Sequence, residues 1–180
     1  TPMNTQEPRY GGTFVLAIYA DPPHLNPGIT TEINVQLPSS PVYSTLTRIG
    51  PQWETLPYLA KNWDVSDDGL TFTFYIHSNV VFHDGEPLTS EDVAFSFSDE
   101  MLEASPGLSE FIPLIDDIHT PNNTTIIFKI NTPVPWFAPL AGGRQPIFPK
   151  HLWEGTDILK NKYNSEPIGS GPFNIFQHFF

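Results

Sequence analysis

Apolar and polar residues alternate most clearly between Trp63 and Ile76. Leu70, Phe72, Phe74 and Ile76 share one face of an extended segment, and Thr71, Thr73 and Tyr75 share the other. Trp63-Asp64-Val65 alternates just upstream, and Ser66-Asp67-Asp68-Gly69 separates the two runs. β-Branched and aromatic residues at period two around an Asp-Gly turn predict a hairpin. A short strand at Ile115–His119, a Pro121-Asn122-Asn123 turn and a second alternation from Thr124 to Ile130 follow, with Ile126, Phe128 and Ile130 on one side. Phe72, Phe74 and Phe128 are expected in the core.

Elsewhere the pattern changes. Thr13-Phe14-Val15-Leu16-Ala17-Ile18-Tyr19 follows Gly11-Gly12 as an apolar run of strand length, suited to burial on both faces. Asp21-Pro22-Pro23 stops it and Asn26-Pro27-Gly28 turns the chain; Ile29 to Tyr43 has room for a helical turn or two around Pro38 and Pro41. Thr89 starts a helix, with Asp92 three residues on in a variant of the capping box and Glu91 and Asp92 favoured by the helix dipole. Val93, Phe97 and Met101 recur four apart, predicting one apolar helix face that ends by Pro106-Gly107. Pro133, Pro135 and Pro139 interrupt the next stretch, and Ile158 to Tyr163 suggests a helical turn or two. Gly169-Ser170-Gly171-Pro172 opens a last strand. That strand runs into Phe179-Phe180, so the chain reads as cut there, while the polar residues 1–10 read as a disordered lead-in.

Composition narrows the choices. Twenty prolines in 180 residues exclude a chain of long helices. Eight Lys+Arg against 20 Asp+Glu give a net charge of −12, which argues against nucleic acid and anionic membrane surfaces as partners. No stretch approaches the ~20 apolar residues of a membrane-spanning helix. With no cysteine, disulfides, thiolate metal sites and cysteine nucleophiles are out of reach.

Catalytic patterns are sparse. Gly169-Ser170-Gly171 is followed by Pro172 where a nucleophile elbow would begin a helix, so it reads as a turn. His77, His83 and Asp84 stand near one another and offer a metal-dependent hydrolase as one reading, solvated loop residues as the other. Asp67-Asp68, Glu91-Asp92, Asp99-Glu100 and Asp116-Asp117 are neighbours in sequence and do not face one another as acid–base pairs must. Gly142-Gly143-Arg144 falls short of a phosphate loop. Trp53, Trp136 and Trp153 lie in proline-rich loops, either as a ligand platform or as cover for the core.

A longer pattern spans these segments. Tyr58-Leu59-Ala60-x-x-Trp63, Asp67-Asp68-Gly69-Leu70-Thr71-Phe72-Thr73-Phe74 and Val81-Phe82-His83-Asp84-Gly85-Glu86-Pro87-Leu88-Thr89-Ser90-Glu91-Asp92-Val93 together resemble the signature of family 5 solute-binding proteins, the peptide/nickel-type substrate-binding components of ABC transporters. Gly11-Gly12-Thr13-Phe14, Leu25-Asn26-Pro27, Asn131-x-Pro133-x-Pro135-x-Phe137, Pro149-Lys150-His151 and Pro167-Ile168-Gly169-Ser170-Gly171-Pro172-Phe173 extend the match. His77 departs from it, standing where the family usually has Arg or Lys, and Gln177-His178-Phe179-Phe180 departs from the usual end of the last strand.

The resemblance implies a mixed α/β chain (α+β mixed) from a two-lobed, periplasmic-binding-protein type II-like fold that closes on its ligand without chemistry. Residues 11–41 would begin lobe I, 42–165 form the family's additional small α+β domain, and 166–180 return to lobe I, with the second lobe lying outside these residues. It implies a periplasmic or extracellular protein held at the outer face of the membrane, a monomer with no cofactor and no bound metal, delivering an oligopeptide or similar solute to an ABC permease. An oligosaccharide-binding member of the same family is the alternative. With only one side of the cleft present, the chain alone is expected not to bind solute at micromolar levels. Carried over by position, Glu32 and Asn34 in the loop after the first strand would meet a ligand ammonium or backbone. Arg144 would pair with a ligand carboxylate and Ser170 would contribute from the crossing loop. A solvated Glu32 and an Arg144 paired with local acids are the alternatives.

Overall fold

The computed structural model describes Thr13 and residues 15–175. The alternating segments form a four-stranded antiparallel sheet of β3 (Ala60–Val65), β4 (Thr71–Ile76), β5 (Ile115–Asn122) and β6 (Thr125–Ile130), in the order β3-β4-β6-β5. The expected hairpin closes through Gly69, whose φ of 70° is a conformation that glycine adopts without penalty. Register places Phe72 opposite Phe128 and Phe74 opposite Ile126, so that face of the sheet is a continuous apolar surface. Phe72, Phe74, Ile76, Ile126, Phe128 and Ile130 are all buried. Each such side chain contributes roughly 1.5–3 kcal/mol.

Helices cover that surface. α2 (Ser90–Ser96) starts where the capping pattern places it, with the Thr89 N–H donating to Asp92 Oδ2 at 2.8 Å. The predicted single helix through Met101 breaks, however, at Phe97–Ser98. Ser98 accepts from the Met101 N–H and caps a separate helix, α3 (Asp99–Glu103), whose first turn carries Asp99 and Glu100. Phe97 still meets Phe128 edge-on at 4.9 Å, while Met101 joins a second core.

Other expectations shift. The predicted helical turns between Ile29 and Tyr43 are a 3₁₀ turn at Pro27–Ile29, α1 (Ile33–Ser39) and a second 3₁₀ turn at Ser40–Val42. β5 runs on through Pro121, which an edge strand tolerates because the missing N–H faces no neighbour. The proline-interrupted stretch contains a helix, α4 (Phe137–Arg144); Pro139 is its third residue, where no intrahelical N–H bond is lost. A small hairpin of β1 (Thr47–Ile49) and β2 (Thr55–Pro57) was not anticipated, and α4 packs on it through Thr47 Oγ1 donating to the Ala138 carbonyl at 2.9 Å. Helical structure near Ile158–Tyr163 is confined to a 3₁₀ turn at Lys162–Asn164. α5 (Lys150–Trp153) follows the second cleft wall described below.

The apolar run after Gly11-Gly12 forms no strand over its described part: residues 15–19 lie outside any element, with Val15 and Tyr19 exposed. Hydrophobicity alone does not make a strand without a sheet edge to pair with, and none adjoins it among the described residues. The rest of that run's start, the lead-in 1–10 and residues 176–180 of the last predicted strand lie outside the described residues. Residues 169–173 cross beside Pro41–Tyr43 without forming a strand. The Gly171 N–H donates to the Val42 carbonyl at 2.8 Å and the Phe173 N–H to the Pro41 carbonyl at 3.2 Å.

Asp92 links two parts of this scaffold, since its second oxygen accepts the Lys150 N–H at 2.9 Å while the side chain is buried. Asp92→Ala removes the cap and strands a backbone donor, so it is expected to destabilise the protein by about 2–3 kcal/mol in urea unfolding. A loss within experimental error would show that the two bonds contribute nothing to stability.

Candidate ligand-binding cleft

A cleft of about 300 Å³ opens between the segment that follows Asn26 and the segment that ends α4. Its first wall is built on a buried amide. Asn26 is fully buried; its Oδ1 accepts the Gly28 N–H at 2.8 Å and its Nδ2 donates to Asn164 Oδ1 at 2.8 Å. Asn164 in turn donates to the Ile158 carbonyl. Gln36 Nε2, on α1, donates to the carbonyls of Pro27 and Thr30 at 2.6 and 2.7 Å. Thr30 and Thr31 are thereby held along the cleft from both ends.

The second wall depends on a different amide. Gln145 is buried and its Nε2 donates to the Ser96 carbonyl at the end of α2 at 2.6 Å. The Ile147 N–H reaches the Ser44 carbonyl, and the Phe148 N–H reaches Ser96 Oγ. Arg144, one residue before this anchor, stays exposed and lines the cleft. A cation in the last turn of a helix is favoured by the helix dipole. The Tyr43 hydroxyl, also on the cleft lining, is buried without a hydrogen-bond partner among the described residues, and burial pushes its pKa above the ordinary value.

Charge is distributed unevenly. Among the described residues Arg144 is the sole charged side chain lining the cleft, whose other polar groups are hydroxyls and amides. Among the described residues no carboxylate comes within 4 Å of its guanidinium, although the chain carries 20 acidic residues. An arginine left unpaired beside neutral donors is arranged to grip a carboxylate through two parallel hydrogen bonds.

The model of the bacterial extracellular solute-binding proteins, family 5 (middle part), matches residues 54–178. The chain belongs to this family. The dipeptide-binding protein of Escherichia coli K12 is 30% identical over 92% of the chain and 35% of its own length. The oligopeptide-binding protein AppA of Bacillus subtilis, solved with a nonapeptide, superposes with a TM-score of 0.80 at 26% identity, covering 89% of this chain and 32% of that one. NikZ from Campylobacter jejuni, solved with Ni(L-His), gives 0.76 at 27% identity, again over 89% of this chain and 32% of that one. The protein is thus a mixed α/β chain matching part of the solved family structures, and it spans about a third of the length of the relatives it matches.

Within this family 5 chain the predicted site residues separate. Arg144 lies in the cleft beside Thr31. Glu32 follows Thr31 at the N-terminal end of α1, exposed and without an ion pair among the described residues. Asn34 is buried instead, accepting from the Tyr19 hydroxyl and donating to the Asp21 carbonyl, both at 3.4 Å, so it braces the scaffold. Ser170 bonds the Ser44 hydroxyl at the crossing of the chain and does not line the cleft. The metal trio does not assemble: both ring nitrogens of His83 engage the backbone of Gly169 and Gly171, Asp84 pairs with His151 at 2.8 Å, and His77 is exposed. Of the three loop tryptophans, Trp153 is fully buried in the second core against Phe148, and none lines the cleft. Gly107 and Gln145 were missed. Pro106-Gly107 reads locally as a helix end, and nothing near Gln145 in sequence reveals its partner on α2.

His24 reports on Glu32. Burial lowers the His24 pKa below 6.5, and the Glu32 carboxylate acts in the opposite direction. The neutral ring is therefore the one the fold favours, and its contribution to stability is present above pH 6.5 and lost as pH falls below it. In an NMR titration His24 is expected to have a midpoint below 6.5, and Glu32→Gln to lower it further. A midpoint unmoved by that substitution would place the carboxylate elsewhere.

Proposed function

We propose that the protein is the solute-binding component of an ABC transporter, holding an oligopeptide or similar carboxylate-bearing solute for delivery to a membrane permease. The observation that carries this reading is the Arg144 guanidinium, unpaired among the described residues, in a cleft lined otherwise by neutral hydroxyls and amides. In a chain of net charge −12, a cation left without an acid is available for an anionic group from outside. Glu32, next to the cleft-lining Thr31, supplies the opposite charge for a ligand ammonium. Asn34 and Ser170 serve the site indirectly, through the positions of α1 and of the crossing segment.

The family and its peptide-binding relatives support this reading, and so does the cleft's chemistry. An oligosaccharide reading needs exposed aromatic faces for stacking; among the described residues the one aromatic ring on the wall, Tyr43, is buried. Residues 11–41 begin lobe I, 42–165 form the small α+β domain, and 166–180 return to lobe I. The location of every described strand between Thr47 and Ile130 and the crossing of 169–173 beside Pro41–Tyr43 are in keeping with that division. The protein acts as a monomer in the periplasm or outside the cell, anchored at the outer face of the membrane.

A single cleft side binds weakly, so the chain alone holds solute at millimolar rather than micromolar concentrations. Trialanine and trialanine amide separate the charge from the rest of the ligand. In a calorimetric titration at millimolar peptide the free acid is expected to bind about tenfold more tightly, a difference of roughly 1.4 kcal/mol, and Arg144→Gln is expected to abolish that preference. Equal affinities for acid and amide in the unaltered protein would overturn the carboxylate reading.

A further inference from the structure

Four glycines near the cleft differ in why they are glycines. Gly169 and Gly171 pass so close to the backbone of Val42 and Pro41 that a Cβ would fall 2.1 and 2.4 Å from a carbonyl oxygen. Gly28 sits against the Phe148 ring, where a Cβ would fall only 2.8 Å from a ring carbon. Those three are demanded by packing. Gly107 is not. Its backbone lies outside the positive-φ region, where three other glycines of the described chain fall. A Cβ there would meet two atoms within 4 Å, Arg144 Nη2 at 3.5 Å and Thr31 Cγ2 at 3.7 Å, both ordinary contacts. Neither backbone geometry nor core packing calls for glycine at this position.

What a side chain at 107 would occupy is the space next to both the guanidinium and Thr31, two groups that line the cleft. The Gly107 N–H also has no acceptor among the described residues. Pro106 before it has no N–H to offer, so Gly107 carries the first main-chain donor at that edge.

We propose that Gly107 is a specificity-determining position of the carboxylate subsite. Its missing side chain keeps the approach to Arg144 open, and its free N–H is a second donor to the carboxylate that Arg144 holds. The inference rests on the cleft being the solute site. It deepens that reading by assigning the subsite to a terminal carboxylate whose parent residue lies flat against residue 107. Two donors from different segments, one charged and one main-chain, fix the orientation of a carboxylate as well as its presence. Any side chain at 107 stands where the ligand residue would lie.

The test uses the ¹⁵N-labelled chain with N-acetyl-alanine as probe and N-acetyl-alanine amide as control, both at millimolar concentrations. The Gly107 amide and the Arg144 Nε–H resonances are expected to shift together with one saturable midpoint, while Arg48 Nε–H stays still and the amide probe moves neither. Gly107→Val is expected to weaken the probe about tenfold or more with the thermal midpoint unchanged, and Gly107→Ala to weaken it less. The inference is overturned if Arg144 titrates while the Gly107 N–H does not, or if the valine and alanine variants bind like the unaltered chain; Arg144's role would then stand alone. Unaltered binding in Arg144→Gln would instead remove the cleft reading, and this inference with it. The shift of the Gly107 amide is read in the unaltered chain, so the test does not depend on a variant's folding.

Discussion

Backbone laid directly on backbone, Gly169–Gly171 against Pro41–Tyr43, is the contact on which the rest of the molecule depends. Alanine's single methyl would overlap a carbonyl oxygen at either glycine, so the two segments can touch only where side chains are absent. The crossing brings residues about 130 apart in sequence side by side. His83 fastens a third segment to the same place, with its N–H on the Gly169 carbonyl and its ring between Gly169 and Gly171. The part of the chain that carries the first cleft wall, the sheet and the returning segment are thus joined at one point.

From that junction two apolar cores extend in different directions. The larger is organised on the sheet face of Phe72, Phe74 and Phe128, closed by Phe97 and Phe137 in edge-on and tilted ring contacts. The smaller packs Tyr43, Phe148 and Trp153 in tilted and edge-on contacts. Edge-to-face rings give these contacts directional preference beyond the area they bury. The cleft is a boundary feature between the cores. Each wall is a loop held by a buried amide, Asn26 on one side and Gln145 on the other. A buried amide that satisfies main-chain groups fixes a loop more narrowly than apolar packing does, because its bonds have both length and direction.

This division explains how an exposed arginine can be positioned without an ion pair. The guanidinium itself is held by no acid among the described residues; what is held is the backbone beside it, by the bond from Gln145 to the Ser96 carbonyl and by the Ile147 and Phe148 N–H groups. The charge remains available while its point of attachment does not move. Glu32, next to the cleft-lining Thr31, is likewise exposed, at the start of a helix whose residues Gln36 and Asn34 bond to the preceding loop.

Where structure arises from neighbours in sequence, the sequence by itself determined it. The hairpin through Gly69, the Thr89–Asp92 cap, the faces of β4 and β6 and the family were all legible, since period-two alternation, turn chemistry and a motif are local properties. Elements that ambiguous local signals left open were settled by packing. Ser98 split the expected helix, Pro139 was absorbed into α4, and the run at 15–19 remained outside the sheet for want of an adjoining edge. The candidate site was only partly readable. Arg144 and Glu32, named by position as candidate ligand contacts, are exposed, whereas Asn34 and Ser170 bond within the scaffold, and the surroundings of Gly107 and Gln145 showed nothing in their own segments. Those surroundings exist only because segments distant in the chain meet, and a contact between distant segments leaves no local pattern to read. Tertiary structure alone decided which polar side chains were consumed in holding the fold and which were left free to face a ligand.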